Sequence, residues 1–598
     1  LNLNGTETVR SFNSNGTLGL SPTATSGTLV ITESPINLMD GHVSLRGTNL
    51  ENVTGGAPQL TSNGNVLISG TAGDTNPGPQ NGTVNVGTLD IQSGTLFLDG
   101  LLTNPDGTID IRAGATLVSG SSHRINGDSS TLNMENGGTW TLGGDETIGV
   151  FNSSGSLNGS GTLTAGEYNL SNGATTAVDA NLGSGILSSG PGSVTLGGDA
   201  AVETATVNSG TLQLNGRLTN VEDLNIADGG SLVSGSPNRI NDTASVNITT
   251  GGSWTLNGDE TVGALNSGGL LNGAGTVTAE TYDLTDGAVT ESLANLGSGT
   301  LNSNGTVILN GNSAAEIANI NSGTLTLNGQ LTAVTTLNID NGGTLVNGGA
   351  ERIHDAATAN IVTGGTLTLN GDETIETLNS GGLLNGTGTL TAETYNLTDG
   401  AVTETSAHLG TGILNSDGSV VLNGDAAVET ANIHTGILRL NGSLTRVSDL
   451  NIASGATLAN GSDERIHDAA VINNSGTLTL AGVETVAILN ADGGLVDGNG
   501  LLVAETYNLN NGATTAAGAD LGTGTLNSGP GMVTLNGNTS ADRINLTTGT
   551  LVTNGAVQNP ASLITVSANS TWNVKITVSR LWEFNNYIFI IFNFVIII

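Results

Sequence analysis

Cysteine is absent from this 598-residue chain, so no disulfide and no thiolate metal site contributes to it, and the redox compartment is left open. Lysine is nearly absent: Lys575 is the only one, beside twelve arginines. Aromatic residues make up 3% of the chain, and no window carries the periodicity and caps of a helix. The start holds neither an initiating Met nor a basic-then-apolar leader. Positive charge is scarce as well, with 13 basic against 51 acidic residues and a net charge of −38. Such a surface repels phosphate backbones and anionic lipid, which argues against nucleic acid as a partner, and it attracts cations only weakly.

Glycine is plentiful, at 91 residues, and 36% of residues are hydrophobic. Without order, that composition would point to low complexity or disorder. The order is a repeat. The stretch Gly365–Leu397, GTLTLNGDETIETLNSGGLLNGTGTLTAETYNL, recurs along the chain. Its Gly-Asp-Glu-Thr core stands at Gly144–Thr147, Gly258–Thr261 and Gly371–Thr374, and returns as Gly482-Val483-Glu484-Thr485. A fainter copy is Gly5-Thr6-Glu7-Thr8. Four of the five tyrosines, Tyr168, Tyr282, Tyr395 and Tyr507, close successive copies about 113 residues apart. A steady period outranks any short motif and identifies a repeat architecture, which buries a narrow core without many aromatics.

Within each copy a shorter beat of 17–22 residues appears as alternating runs such as Thr366-Leu367-Thr368-Leu369, punctuated by Asn-Gly and Ser-Gly-Gly turns. Alternation predicts half-buried strands with Leu367 and Leu369 on one face and the threonines on the other. The expected fold is all-β, a right-handed parallel β-solenoid of about thirty coils over residues 1–574, six coils per long repeat. Equivalent Asn, Thr and Leu side chains should stack in ladders. A tandem array of hairpins is the rival architecture.

Three segments are expected. Residues 1–90 form an irregular first repeat with inserted loops, Gly73–Gln80 (GDTNPGPQ) being the clearest. Residues 91–574 form the regular repeats. Residues 575–598, KITVSRLWEFNNYIFIIFNFVIII, match nothing upstream and form an off-pattern hydrophobic tail, either a terminal plug or an artefact at the end of a fragment. The apolar run Tyr587–Ile598 is shorter than the roughly 20 residues of a membrane-spanning helix. Because LNLNGTETVRSFNSNG at the start aligns with Leu367–Gly382, the repeat is already under way at Leu1, which points to a longer parent chain.

The pairs of Asp372-Glu373 type read as solvated turn residues, since neighbours on a strand face opposite ways and the copies lie roughly 29 Å apart. No nucleophile elbow, phosphate loop or metal-binding spacing is present, so no catalytic, cofactor or metal residue is assigned. One cluster stands out in the longest coil of each repeat: Glu351-Arg352-Ile353-His354-Asp355 and Glu464-Arg465-Ile466-His467-Asp468, with the earlier forms His123-Arg124-Ile125-Asn126 and Arg239-Ile240-Asn241-Asp242. Arg124, Arg239, Arg352, His354, Arg465 and His467 are the candidate ligand-contact residues. The plainer alternative is a surface loop whose Arg pairs with nearby acids for about 0–1 kcal/mol.

The runs GTLTLNGDETI, LNGTGTLTAETYNL and LNSDGSVVLNG resemble the repeats of large β-helical exoproteins of Gram-negative bacteria, the filamentous-haemagglutinin-like adhesins and autotransporter passengers. The resemblance covers about residues 1–574. It implies a secreted or cell-surface protein, outer-membrane associated, that acts as a monomeric structural rod, without catalysis or cofactor. The implied partners are host-cell or matrix glycans or proteins and an outer-membrane secretion component. Two alternatives stand beside an adhesin: a β-helical polysaccharide-degrading enzyme, and a passive stalk whose binding domain lies in another part of the parent protein.

Overall fold

A computed structural model describes residues 86–103, 107–559 and 563–574 throughout; of the flanking stretches it describes strands and the side chains of Phe12, Leu60 and Ser62. Among the described residues there is no helix, and the chain winds as an all-β parallel solenoid of about 25 turns. The contacts divide it into two units, Leu1–Gly299 with Val307–Asn312, and Thr300–Thr306 with Ser313–Ile598. The parallel pairing overturns the hairpin alternative. A single antiparallel pair among the described strands joins Glu583–Phe584 to Tyr587–Ile588. Otherwise the tail, and with it the plug-or-artefact question, lies outside the described residues, as does the inserted loop Gly73–Gln80.

Each turn is built from three short extended stretches. In the second unit one turn runs Thr358–Ile361, Thr366–Leu369 and the start of Glu373–Ser380. Leu367 and Leu369 are fully buried and Thr366 and Thr368 half-exposed, as alternation requires. Turn stacks on turn without slipping: Thr366 pairs with Leu383, and Asn360 with Asn379. A one-residue slip would turn every leucine outward, so the buried column holds the register.

The six-turn period is visible as a column of paired residues. In the first unit it runs Tyr168, Leu187, Ala205, Leu224, Val246, Leu265 and Tyr282. The second unit repeats it from Tyr395 through Leu414, Ala431, Leu450, Ile472 and Leu489 to Tyr507. Turns are longer near the start, where Leu60 and Leu89 are direct partners 29 residues apart.

On the outer face beside this column stands the expected asparagine ladder. In the second unit every Nδ2 from Asn319 to Asn545 donates to Oδ1 of the asparagine one turn earlier, thirteen bonds of 2.8–3.0 Å reaching back to Asn302. All these amides point the same way, so each bond polarises the next.

Candidate functional site: the arginine loops and the glutamates beneath them

The arginine loops form where a turn lengthens by a few residues and its chain bends outward. The residue before each arginine takes up the bend in the left-handed region: His123, Asn238, Glu351 and Glu464 have φ of 57°, 53°, 52° and 48°. Asn and His adopt that conformation more readily than Glu, so Glu351 and Glu464 carry the larger local strain. The residue after each arginine, Ile125, Ile240, Ile353 or Ile466, returns to the core and is at most 3% exposed.

The return leaves two backbone donors without a strand partner. Elsewhere along this third stretch the turns bridge by backbone, as in Leu182–Ala200–Leu218–Ile240 and Leu409–Ala426–Leu444–Ile466. Above each isoleucine the chain is displaced, and a glutamate carboxylate takes over. Arg352 N donates to Glu373 Oε1 at 2.7 Å and Ile353 N to Oε2 at 3.0 Å. Glu146 receives Arg124 N at 3.0 Å and Ile125 N at 2.9 Å. Glu484 receives Arg465 N at 2.6 Å and Ile466 N at 3.0 Å, and Glu260 binds the Arg239 and Ile240 amides through Oε2 at 2.8 and 3.2 Å.

This corrects the expectation of solvated acid pairs. The glutamates are 0–1% exposed. The aspartates beside three of them do face water, where Asp145, Asp259 and Asp372 each accept a backbone N–H from the next turn at 2.8 Å. Opposite faces of one strand give the two acids opposite tasks.

A second polar side chain reaches each carboxylate from the side. In the first unit Ser119 and Ser234 bond Glu146 and Glu260, and each serine Oγ also accepts an indole N–H, from Trp140 or Trp254, at 3.0 Å. In the second unit asparagine replaces serine: Asn347 Nδ2 donates to Glu373 and Asn460 Nδ2 to Glu484. Burial pushes Glu146 and Glu373 up to about 7, against the pull of the amide donors, and raises Glu260 and Glu484 for the same reason.

The tyrosines lock the turn that follows. Leu163, Val277, Leu390 and Leu502 are the strand partners of the four glutamates. The hydroxyls of Tyr168, Tyr282, Tyr395 and Tyr507 lie 2.8–2.9 Å from the carbonyls of these same residues and accept a backbone N–H from Ala165, Ala279, Ala392 and Ala504. Loop, glutamate and tyrosine therefore form one brace over three successive turns. Burial raises each phenol to about 12.

Of the candidate contact residues, Arg124 is buried at 7% exposure, and Arg239, Arg352 and Arg465 are half-buried. Their guanidinium groups turn inward along the loop: Nε reaches Ser121 Oγ at 2.6 Å from Arg124, Ser236 Oγ at 2.7 Å from Arg239 and Ser462 Oγ at 2.8 Å from Arg465. At the third loop Gly349 stands in place of that serine, and the buried Arg352 Nε has no partner. His354 and His467 are exposed, with Asp355 and Asp468 beside them. Each loop stands alone, since equivalent loops within a unit are six turns, about 29 Å, apart.

Beside the loops lie shallow grooves. One, of 410 Å³, is bordered by Asp355, Glu376 and Glu393. Its counterpart in the first unit, of 610 Å³, is bordered by Asp242 and Glu280 at equivalent positions. Among the described residues no three His, Cys, Asp or Glu side chains come together as metal ligands. Sequence reasoning passed over the buried glutamates and their serine or asparagine partners. The signal that was there is the glutamate following each loop arginine by 19–22 residues in four copies.

No family model, no curated protein and no solved structure matches this chain, so what is shown of its kinship is the parallel β-solenoid alone.

Proposed function

We propose that this protein is a non-catalytic, adhesin-like structural component of the bacterial cell surface, secreted and outer-membrane associated, that presents its loops to host-cell or matrix glycans or proteins. The observation that carries the reading is the inward commitment of the chemistry-bearing groups. The four glutamates with raised pKa, which would otherwise be candidates for acid–base work, are sealed under the loops and occupied with backbone amides. What remains outside is a repeated surface of Asn, Thr and Asp, with His354 and His467 at the loop tips. Weak contacts recurring about 29 Å apart along a repetitive surface sum by avidity.

The test is binding of the intact protein to cells and to immobilised glycans and matrix proteins. A joint His354→Ala and His467→Ala variant, which leaves the buried brace intact, should bind at least several-fold more weakly. A second variant, Arg124, Arg239, Arg352 and Arg465 to Ala together, should weaken binding only as far as it loosens the loops. Unchanged binding in both would favour a passive stalk. Turnover of any polysaccharide by the unaltered protein would overturn the non-catalytic reading.

A further inference from the structure

Leu-Asn-Gly recurs through the turns of this solenoid, and in several copies the glycine N–H is spent on a neighbouring turn. Gly216 donates to Leu196 O and Gly442 to Leu422 O, both at 3.0 Å, while Gly424 donates to Thr403 Oγ1 at 3.2 Å. Gly386 is different. Its N–H lies 2.7 Å from Oδ1 of the preceding residue, Asn385. Leu383–Gly386 pairs onward with only the two residues Val402–Thr403, as its counterparts Ser156–Gly159 and Leu270–Gly273 do with Thr175–Thr176 and Val289–Thr290, so the end of the strand has no partner in the next turn. Ser406 folds its hydroxyl back to Gly386 O at 2.7 Å instead. Gly386 has φ +100°, and a Cβ there would meet Leu369 O at 2.0 Å, so only glycine fits.

We propose that Asn385-Gly386 is a self-modification site, at which the glycine nitrogen closes on the asparagine side chain to form a succinimide. Solvent base removes the Gly386 amide proton, and the nitrogen bonds to Cγ of Asn385. The Cγ–Nδ2 bond breaks, and the side-chain nitrogen leaves as ammonia with the proton restored. Water then opens the ring at either carbonyl, leaving aspartate or isoaspartate at position 385, so one water is consumed and one ammonia released. The contact keeps the Gly386 nitrogen beside the side-chain amide that carries Cγ, which shortens the conformational search this reaction needs. Asn385 is only half-buried, so water and base reach it. The next repeat already carries the product side chain: Asp497 stands at the equivalent position, its Oδ1 accepts Gly498 N at 2.8 Å, and Gly498 keeps φ +96°.

The experiment incubates the intact chain in mildly alkaline buffer and follows each Leu-Asn-Gly peptide by mass spectrometry, with enzymatic methylation to detect isoaspartate. Asn385 should convert about tenfold or more faster than Asn215, Asn423 and Asn441 in the folded chain. In denaturant the four should convert at a common rate, because they share one tripeptide. Asn385→Gln should abolish the fast phase while leaving Gly386 in place. Conversion of Asn385 no faster than the other three in the folded chain overturns the proposal, as does an advantage that persists in denaturant.

Discussion

Trp140 donates its indole N–H to Ser119 Oγ, and where leucine takes the place of that tryptophan, asparagine takes the place of the serine. The pairs are Trp140/Ser119 and Trp254/Ser234 in the first unit, and Leu367/Asn347 and Leu478/Asn460 in the second. A large residue with a small partner, or a smaller one with a larger partner, fills the same space beside the same glutamate. Trp254→Leu alone should therefore cost about 3 kcal/mol or more in unfolding free energy, through the cavity and the serine left without its indole donor. Adding Ser234→Asn should recover a good part of it, a coupling of about 1 kcal/mol or more in a double-mutant cycle. Strict additivity of the two changes would show that the exchange is accidental.

Removing a loop glutamate strands two buried amide donors. Glu373→Ala should cost about 2–6 kcal/mol, because each of the two unpaired buried backbone donors is worth about 1–3 kcal/mol. Glu373→Gln keeps one acceptor oxygen and should lose less. Amide hydrogen exchange at Arg352 and Ile353 checks this directly; it should accelerate in the alanine variant well before the strands around Leu367 open.

The same carboxylates make stability depend on pH with an unusual sign. Burial, the largest cause, raises Glu146 and Glu373 from 4.5 to about 7, so the folded chain holds these protons more tightly than the unfolded chain. Their contribution is fully present below pH 4.5 and is lost as pH rises through about 7. For Glu373 the adjacent Glu351 adds to the rise, while the Arg352 and Ile353 amides and the Arg352 charge oppose it. Denaturant midpoints measured across that window should fall with increasing pH, and the joint Glu146→Gln and Glu373→Gln variant should flatten the slope. The buried tyrosines add a second loss between pH 10 and about 12, since burial raises them in the folded state.

Gly349→Ser should stabilise the third loop. Its three sister loops place a serine hydroxyl on the arginine Nε, and here Arg352 Nε is buried without a partner. A Cβ at Gly349 would lie 3.3 Å from Arg352 Nη2, a contact the flexible guanidinium can relax. One restored hydrogen bond predicts a gain of about 0.5–1.5 kcal/mol in thermal or denaturant unfolding. No gain, with exchange at Arg352 unchanged, would mean that the orphaned Nε carries no penalty.

The repeat, the strand content, the burial of Leu367 and Leu369 and the stacking of asparagines were all legible in residue order. Each of these follows from a period of two within strands and a period of turns along the chain, and both periods are written in residue order. The position of the four tyrosines at one repeat site was legible too, though not their reach across the core to the carbonyls of Leu163, Val277, Leu390 and Leu502. The burial of Glu146, Glu260, Glu373 and Glu484, and the exposure of Asp145, Asp259 and Asp372 beside the first three, come from the three-dimensional packing of the turns. A glutamate two residues after Gly in a turn carries no local mark of burial. Its partners, the amides of Arg352 and Ile353 for Glu373, lie a full turn away and lack a strand partner only because the loop bends out of register. The inward turn of the arginines was hidden for the same reason, since a guanidinium's partner is set by where the loop folds back and not by which residues stand next to it in sequence.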